Sequence, residues 1–148
     1  MYKHILIPTD GSARSRRAAE NAVKLAKLLG ARVTGFYAAP PAVPLQQKGL
    51  LPVYVDPQKQ ARSIQGAAAR YLAMIEDAAK VAGVPCKTIS VTNDFPADAI
   101  IAAASKYRCD LIFIASHGRR GFRASMLGSQ TEKLLRQSKV PVLVDRGG

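Results

Sequence analysis

Short unbroken apolar runs alternate with longer stretches of helical periodicity along most of the chain. His4-Ile-Leu-Ile-Pro8 is a continuous apolar run, the kind a strand buried on both faces requires. Asp10-Gly-Ser12 supplies a turn and an N-cap. Ala18, Ala22, Leu25, Ala26 and Leu29 then share one face of a helix that Gly30 closes. Ala31 to Ala38 reads as a second strand, weakened by Gly35. From about Lys59 to Ala82, the spacing of Ile64, Ala68, Tyr71, Leu72, Ile75 and Ala79 predicts a long helix ended by Gly83. A third strand is expected over Pro85–Thr92. Pro96 then opens a helix whose buried stripe is Ile100, Ile101 and Ala104. Leu111–Ala115 predicts a fourth strand, Gly128-Ser129 the start of a helix running to about Ser138, and Val140–Val144 a fifth strand. The remaining stretch, Ala39–Gln58, holds five of the nine prolines and is expected to be a long loop, either one that orders over a bound ligand or one that merely spans a gap.

Strict alternation of strand and helix, without repeat or linker, implies an α/β fold. The expected architecture is a single domain over residues 1–148, a doubly wound parallel five-stranded sheet in order 3-2-1-4-5 with helices on both faces. In such sheets ligands bind beyond the carboxyl ends of the strands, where the winding reverses. That point falls between the first and fourth strands. Pro8-Thr-Asp-Gly-Ser12 and the segment after Ala115 flank it.

The segment after the fourth strand, Ala115-Ser-His-Gly-Arg-Arg-Gly-Phe-Arg-Ala-Ser-Met-Leu-Gly-Ser129, carries the clearest chemical signal. Glycines where a strand turns into a helix leave backbone N–H groups unshielded, and the helix N-terminus adds partial positive charge. Gly118 and Gly128 therefore suggest an anion seat, and Arg119, Arg120 and Arg123 point to phosphate. Ser129 and Thr131 can cap the helix or donate to phosphate. Asp10, just past the first strand, can accept from ribose hydroxyls or cap the first helix. His117 reads as a positioning or exposed residue.

Absent motifs narrow the chemistry. There is no GxxxxGK[ST], no GxGxxG after the first strand and no G-x-S-x-G elbow. No catalytic residue is assigned, and binding is better supported than catalysis. Two histidines and the separated Cys86 and Cys109 give no metal-ligand spacing, so no metal site is expected and both thiols are expected to be buried and free.

Composition is that of an ordinary globular protein, with 48% hydrophobic and 22% charged residues. The N-terminus lacks the apolar region of a signal peptide, and no apolar run approaches the roughly 20 residues of a membrane span. A cytoplasmic protein with no membrane partner is expected. Net charge is +12, with seven Lys/Arg against two acids in residues 1–32 and nine against three in residues 106–146. Both basic segments are expected to converge on the crevice. A nucleic-acid partner is disfavoured, because aromatic content is only 6% and no recognition-helix pattern appears.

These residues together resemble the universal stress protein family over essentially the whole chain. The opening strand with Pro8-Thr-Asp-Gly-Ser12 is similar to that family's first strand and turn. Gly118, nine intervening residues, Gly128 and Ser129 resemble the pattern G-x2-G-x9-G-[ST] of its ATP-binding branch, and Lys139-Val-Pro-Val-Leu-Val144 its last strand. Ala115 stands where the pattern has its first glycine. The resemblance implies a small stress-response protein that binds ATP or a related adenine nucleotide, with Mg²⁺ as an accompanying ion. It also implies a homodimer, for which the apolar last strand is the expected interface. Pro8, Thr9 and Asp10 would lie near adenine and ribose, with Ala38 touching adenine through its backbone. Ala115, Gly118, Arg119, Arg120, Gly128, Ser129, Gln130 and Thr131 would follow ribose and phosphates. A slow ATPase or adenylate-forming enzyme is the alternative, with a flavin-binding domain behind it.

Overall fold

The computed structural model describes residues 1–41, 56–117 and 128–147. Most of the proline-rich stretch, together with Gly118, Arg119, Arg120 and Arg123, lies outside the described residues. The elements are β1 His4–Pro8, α1 Ala13–Leu29, β2 Arg32–Ala39, α2 Pro57–Ala82, β3 Cys86–Thr92, α3 Pro96–Lys106, β4 Leu111–Ala115, α4 Ser129–Gln137 and β5 Val142–Asp145. All strand pairs are parallel, and the sheet order is β3-β2-β1-β4-β5, as the alternation requires.

The sheet is buried on both faces, and side-chain alternation divides its core. Ile5 and Ile7 of β1 face α1 and α2, joined by Val33, Leu111 and Phe113. Leu6 points the other way, with Phe36, Ile112 and Ile114, toward α3 and α4. The contact face of α1 is built of small residues: Ala18, Ala19, Ala22 and Ala26 are buried with Val23, whereas Leu29 is half-exposed at the last turn. Leu29 therefore leaves the predicted stripe. In α3, Ala97, Ala103 and Ala104 join Ile100 in the core, and Ile101 is only partly buried.

Two boundaries differ from expectation for local reasons. α2 begins at Pro57, inside the stretch expected to be irregular, because the Asp56 carboxylate accepts from Gln58 N at 2.9 Å and proline suits a first helical position. β5 starts at Val142 instead of Val140. The Ser138 hydroxyl accepts from Val140 N at 3.1 Å and donates to Val140 O at 2.7 Å, closing a turn that takes Val140 out of the ladder. Cys109 is buried as expected, but Cys86, on edge strand β3, is only half-buried.

Candidate functional site

Because every strand is parallel, Pro8, Ala39, Thr92, Ala115 and Asp145 all end at one edge of the sheet, and the helices begin there. A crevice of about 570 Å³ opens at this edge, where the chain leaves β1 for one face and β4 for the other. Its walls include Pro8 of β1 with Thr9 and Asp10 just after it, Phe36 and Ala38 of β2, and Ala115 of β4 with His117 just after it. Gly128 through Thr131 complete it at the start of α4.

Hydroxyl groups and one glycine hold the β1 side. Thr9 Oγ1 accepts from Gly11 N at 3.1 Å and shares a hydrogen bond with Ser15 Oγ at 3.0 Å. Asp10 Oδ1 accepts from Ser12 N at 2.9 Å, and Ser12 Oγ caps α1 by accepting from Ser15 N at 3.1 Å. Gly11 has φ +81°, and the ring of Tyr71 on α2 occupies the space a Cβ would need. Asp10 thus sits on the crevice wall within a turn stiffened by its own side chain.

Hydrogen bonds that sequence spacing did not indicate, from backbone and side chains, build the β4 side. Gly128 N donates to Ser116 O and Ser116 N to Asp145 O, both at 2.8 Å, which sets the start of α4 against the ends of β4 and β5. Thr131 is buried, and its hydroxyl donates to Ala115 O at 3.1 Å. That hydroxyl ties the helix to the end of β4. Gln130 Oε1 accepts from Ala97 N at 3.0 Å, so its carboxamide bridges the first turns of α4 and α3. Lys133 reaches Asp98 at 3.0 Å across the same pair of helices. The backbone N–H groups of Ser129, Gln130 and Thr131 remain first-turn donors with no carbonyl of their own helix to bond.

His117 is not the exposed loop residue that one expectation allowed. It is 3% exposed, with Nδ1 hydrogen-bonded to Ser116 Oγ at 2.9 Å and Nε2 buried without a partner among the described residues.

The sequence pattern of the universal stress protein family matches residues 1–146. The chain belongs to that family. A universal stress protein of Methanocaldococcus jannaschii is 33% identical over 146 residues, a match covering 97% of this chain and 82% of the relative. Among solved structures, a hypothetical protein whose biochemical function was assigned from its structure is 25% identical. It has a TM-score of 0.79, with 97% of this chain and 95% of that one covered. A universal stress protein in complex with cAMP is also 25% identical, with a TM-score of 0.71 and 97% of both chains covered.

Of the residues expected at the site, Pro8, Thr9, Asp10, Ala38, Ala115, Gly128, Ser129, Gln130 and Thr131 line the crevice together. Gly118, Arg119 and Arg120 lie outside the described residues. Sequence reasoning missed the contribution of the turn before α3: Asn93, Asp94 and Pro96 also line the crevice. The available signal was an Asx turn, in which Asn93 Oδ1 accepts from Phe95 N at 2.8 Å, followed by proline at a helix start.

The expected convergence of basic charge needs correction as well. Lys3, Lys27, Arg32, Lys106, Arg108 and Lys139 stand at strand starts, helix ends or the turns between them, the edge opposite the crevice. Among the described residues, no helix is long and apolar enough to cross a membrane.

Proposed function

We propose that the crevice between β1 and β4 binds an adenine nucleotide as a regulatory ligand. The observation that carries this reading is the start of α4, which brings the first-turn N–H groups of Ser129, Gln130 and Thr131 to the crevice wall. Donors without an intrahelical partner at the positive end of a helix dipole suit phosphate. On the β1 side, the Asp10 carboxylate suits ribose hydroxyls, and Ala38 and Pro40 offer an apolar wall for a base. The volume lies within the roughly 300–1,000 Å³ of small-molecule sites.

The cAMP complex of a 25% identical family member supports the adenine class. ATP is the favoured ligand on the resemblance of Gly118, Gly128 and Ser129 to the ATP-binding pattern and on the arginines between them. Mg²⁺ would arrive with the nucleotide, held mainly by its phosphates and by water. The proposed protein is a cytoplasmic stress-response homodimer in which the bound nucleotide biases conformation and is not turned over.

Titration calorimetry with ATP, ADP, AMP, cAMP and GTP tests this. Tightest binding by ATP and weak binding by GTP are expected, and no heat from any adenine nucleotide would overturn the reading. Sustained phosphate release from ATP would replace it with the slow-ATPase alternative.

A further inference from the structure

The edge of the sheet opposite the crevice carries a charge pattern that nucleotide binding does not use. Residues 1–4, 27–32, 80–87, 106–111 and 136–142 form this end, where strands start and helices stop. They hold nine lysines and arginines against one acid, Asp110. Both Asp110 carboxylate oxygens are engaged by the start of the chain, accepting from Lys3 N at 2.9 Å and His4 N at 3.0 Å. At the crevice end, the described residues of 8–16, 36–41, 56–60, 92–98, 114–117, 128–133 and 144–147 hold five cations against six acids. Arg119, Arg120 and Arg123, between β4 and α4, lie outside the described residues; among the described residues, the excess of positive charge is at the strand-start end.

Helix chemistry accounts for part of this pattern. Lys27, Lys80, Lys106 and Arg136 occupy last helical turns, where a cation complements the dipole. That leaves Lys3, Arg32 and Lys87 on or beside strand starts, and Arg108 and Lys139 in the turns before β4 and β5. Of the nine, Arg136 is ion-paired, with Glu132 at 2.8 Å, and the other eight have no acidic partner among the described residues. All nine are exposed.

Apolar side chains stand among these cations. Met1 is 100% exposed, Leu28 next to Lys27 is 85% exposed, and Val81 next to Lys80 is 91% exposed. Leu28 and Val81 lie at the ends of α1 and α2, which pack side by side on one face of the sheet. We infer that this end of the molecule docks on an anionic lipid surface, a peripheral contact that departs from the expectation of no membrane partner, with the lysines and arginines at headgroup level and Leu28 and Val81 entering the interface. Cations interleaved with protruding aliphatic residues suit such a surface. The charge is spread over the helix ends of both layers, so it matches an extended anionic plane better than a single acidic segment. A single-stranded nucleic acid would call for exposed aromatic platforms, and the large exposed apolar residues here are aliphatic. Docked this way, the crevice faces away from the membrane and stays open to ligand.

Co-sedimentation with vesicles of phosphatidylglycerol and phosphatidylcholine tests the inference. Binding should be strong on mixed vesicles, absent on phosphatidylcholine alone, and weakened by salt. Lys27→Glu with Lys80→Glu should reduce binding at least about tenfold. Lys59→Glu with Arg62→Glu makes the same change in net charge at the other end of α2 and should have a much smaller effect. Leu28→Ser with Val81→Ser should weaken binding several-fold at unchanged charge. Equal losses from the two glutamate pairs would reduce the effect to net charge and overturn the inference, as would no loss from the serine pair. Binding to a duplex or single-stranded oligonucleotide without binding to anionic vesicles would also overturn it.

Discussion

A Cβ built on Gly128 would stand 3.1 Å from both Cα and Cβ of His117. The backbone of Gly128 is ordinary, with φ −65°, so close approach and not conformation requires glycine there. The start of α4 is seated directly on the buried histidine. Gly118 shares the expected phosphate role but lies outside the described residues, so this packing relation is shown for Gly128 alone.

Gly128→Val should consequently do more than obstruct a ligand. Overpacking against His117 is expected to cost about 1–3 kcal/mol and to lift the first turn of α4 from the crevice wall. Urea denaturation should show a lower midpoint, and calorimetry weaker nucleotide binding. Gly128→Ala should show the same pattern more mildly.

Gly11→Ala combines two penalties, a left-handed φ and a clash with the Tyr71 ring. The conformational part alone is about 1–2 kcal/mol. In a Tyr71→Ala background the steric part disappears, so the two substitutions should be strongly non-additive. Thermal unfolding of the four variants in the cycle measures the difference.

His4 is buried near the start of β1, with Nε2 2.6 Å from Thr34 Oγ1, and burial, reinforced by Arg32, pushes its pKa below the ordinary 6.5. The unfolded chain therefore takes up the proton first as pH falls. Stability from this group is complete above pH 6.5 and is lost as pH falls from there toward the lowered folded value. Denaturation midpoints measured across that window should decline for the native protein and stay flatter for His4→Gln.

Burial, with the nearby Asp110 carboxylate, pushes the Cys109 thiol up to about 11, and its side chain is enclosed between α3 and β4. Thiolate reagents near neutral pH should therefore leave Cys109 unmodified until the protein unfolds. Half-buried Cys86 should react first. Mass spectrometry of labelled native and denatured protein resolves the order.

Both sheet edges are available for pairing, but they differ chemically. β3 carries Lys87, Thr88 and Ser90 with one exposed apolar residue, Val91, whereas β5 carries no lysine and exposes Leu143, with Val142 and Val144 packed on the core. A lysine discourages edge pairing, and an apolar edge invites it. The proposed homodimer should therefore use β5. Light scattering should give a dimer mass that falls to the monomer for Leu143→Lys.

The order of elements, the caps at Ser12, Gly30 and Gly83, and the layered sheet were legible in the sequence by itself. Each depends on periodicity or turn chemistry within a few residues, and right-handed crossovers then leave one favoured strand order. The location of the crevice followed from that order. Only the tertiary structure decided how the crevice is built. The Thr131 hydroxyl meets a carbonyl 16 residues away and the Gln130 carboxamide an N–H 33 residues away, pairings that no local spacing encodes. The burial of His117 beneath Gly128 has the same origin. So does the separation of charge: basic segments near both chain ends suggested one shared site, yet parallel strands with returning helices carried much of that charge to the opposite edge. Sequence proximity orders residues along the chain, and in a parallel α/β fold each crossover decides which end of the sheet they reach.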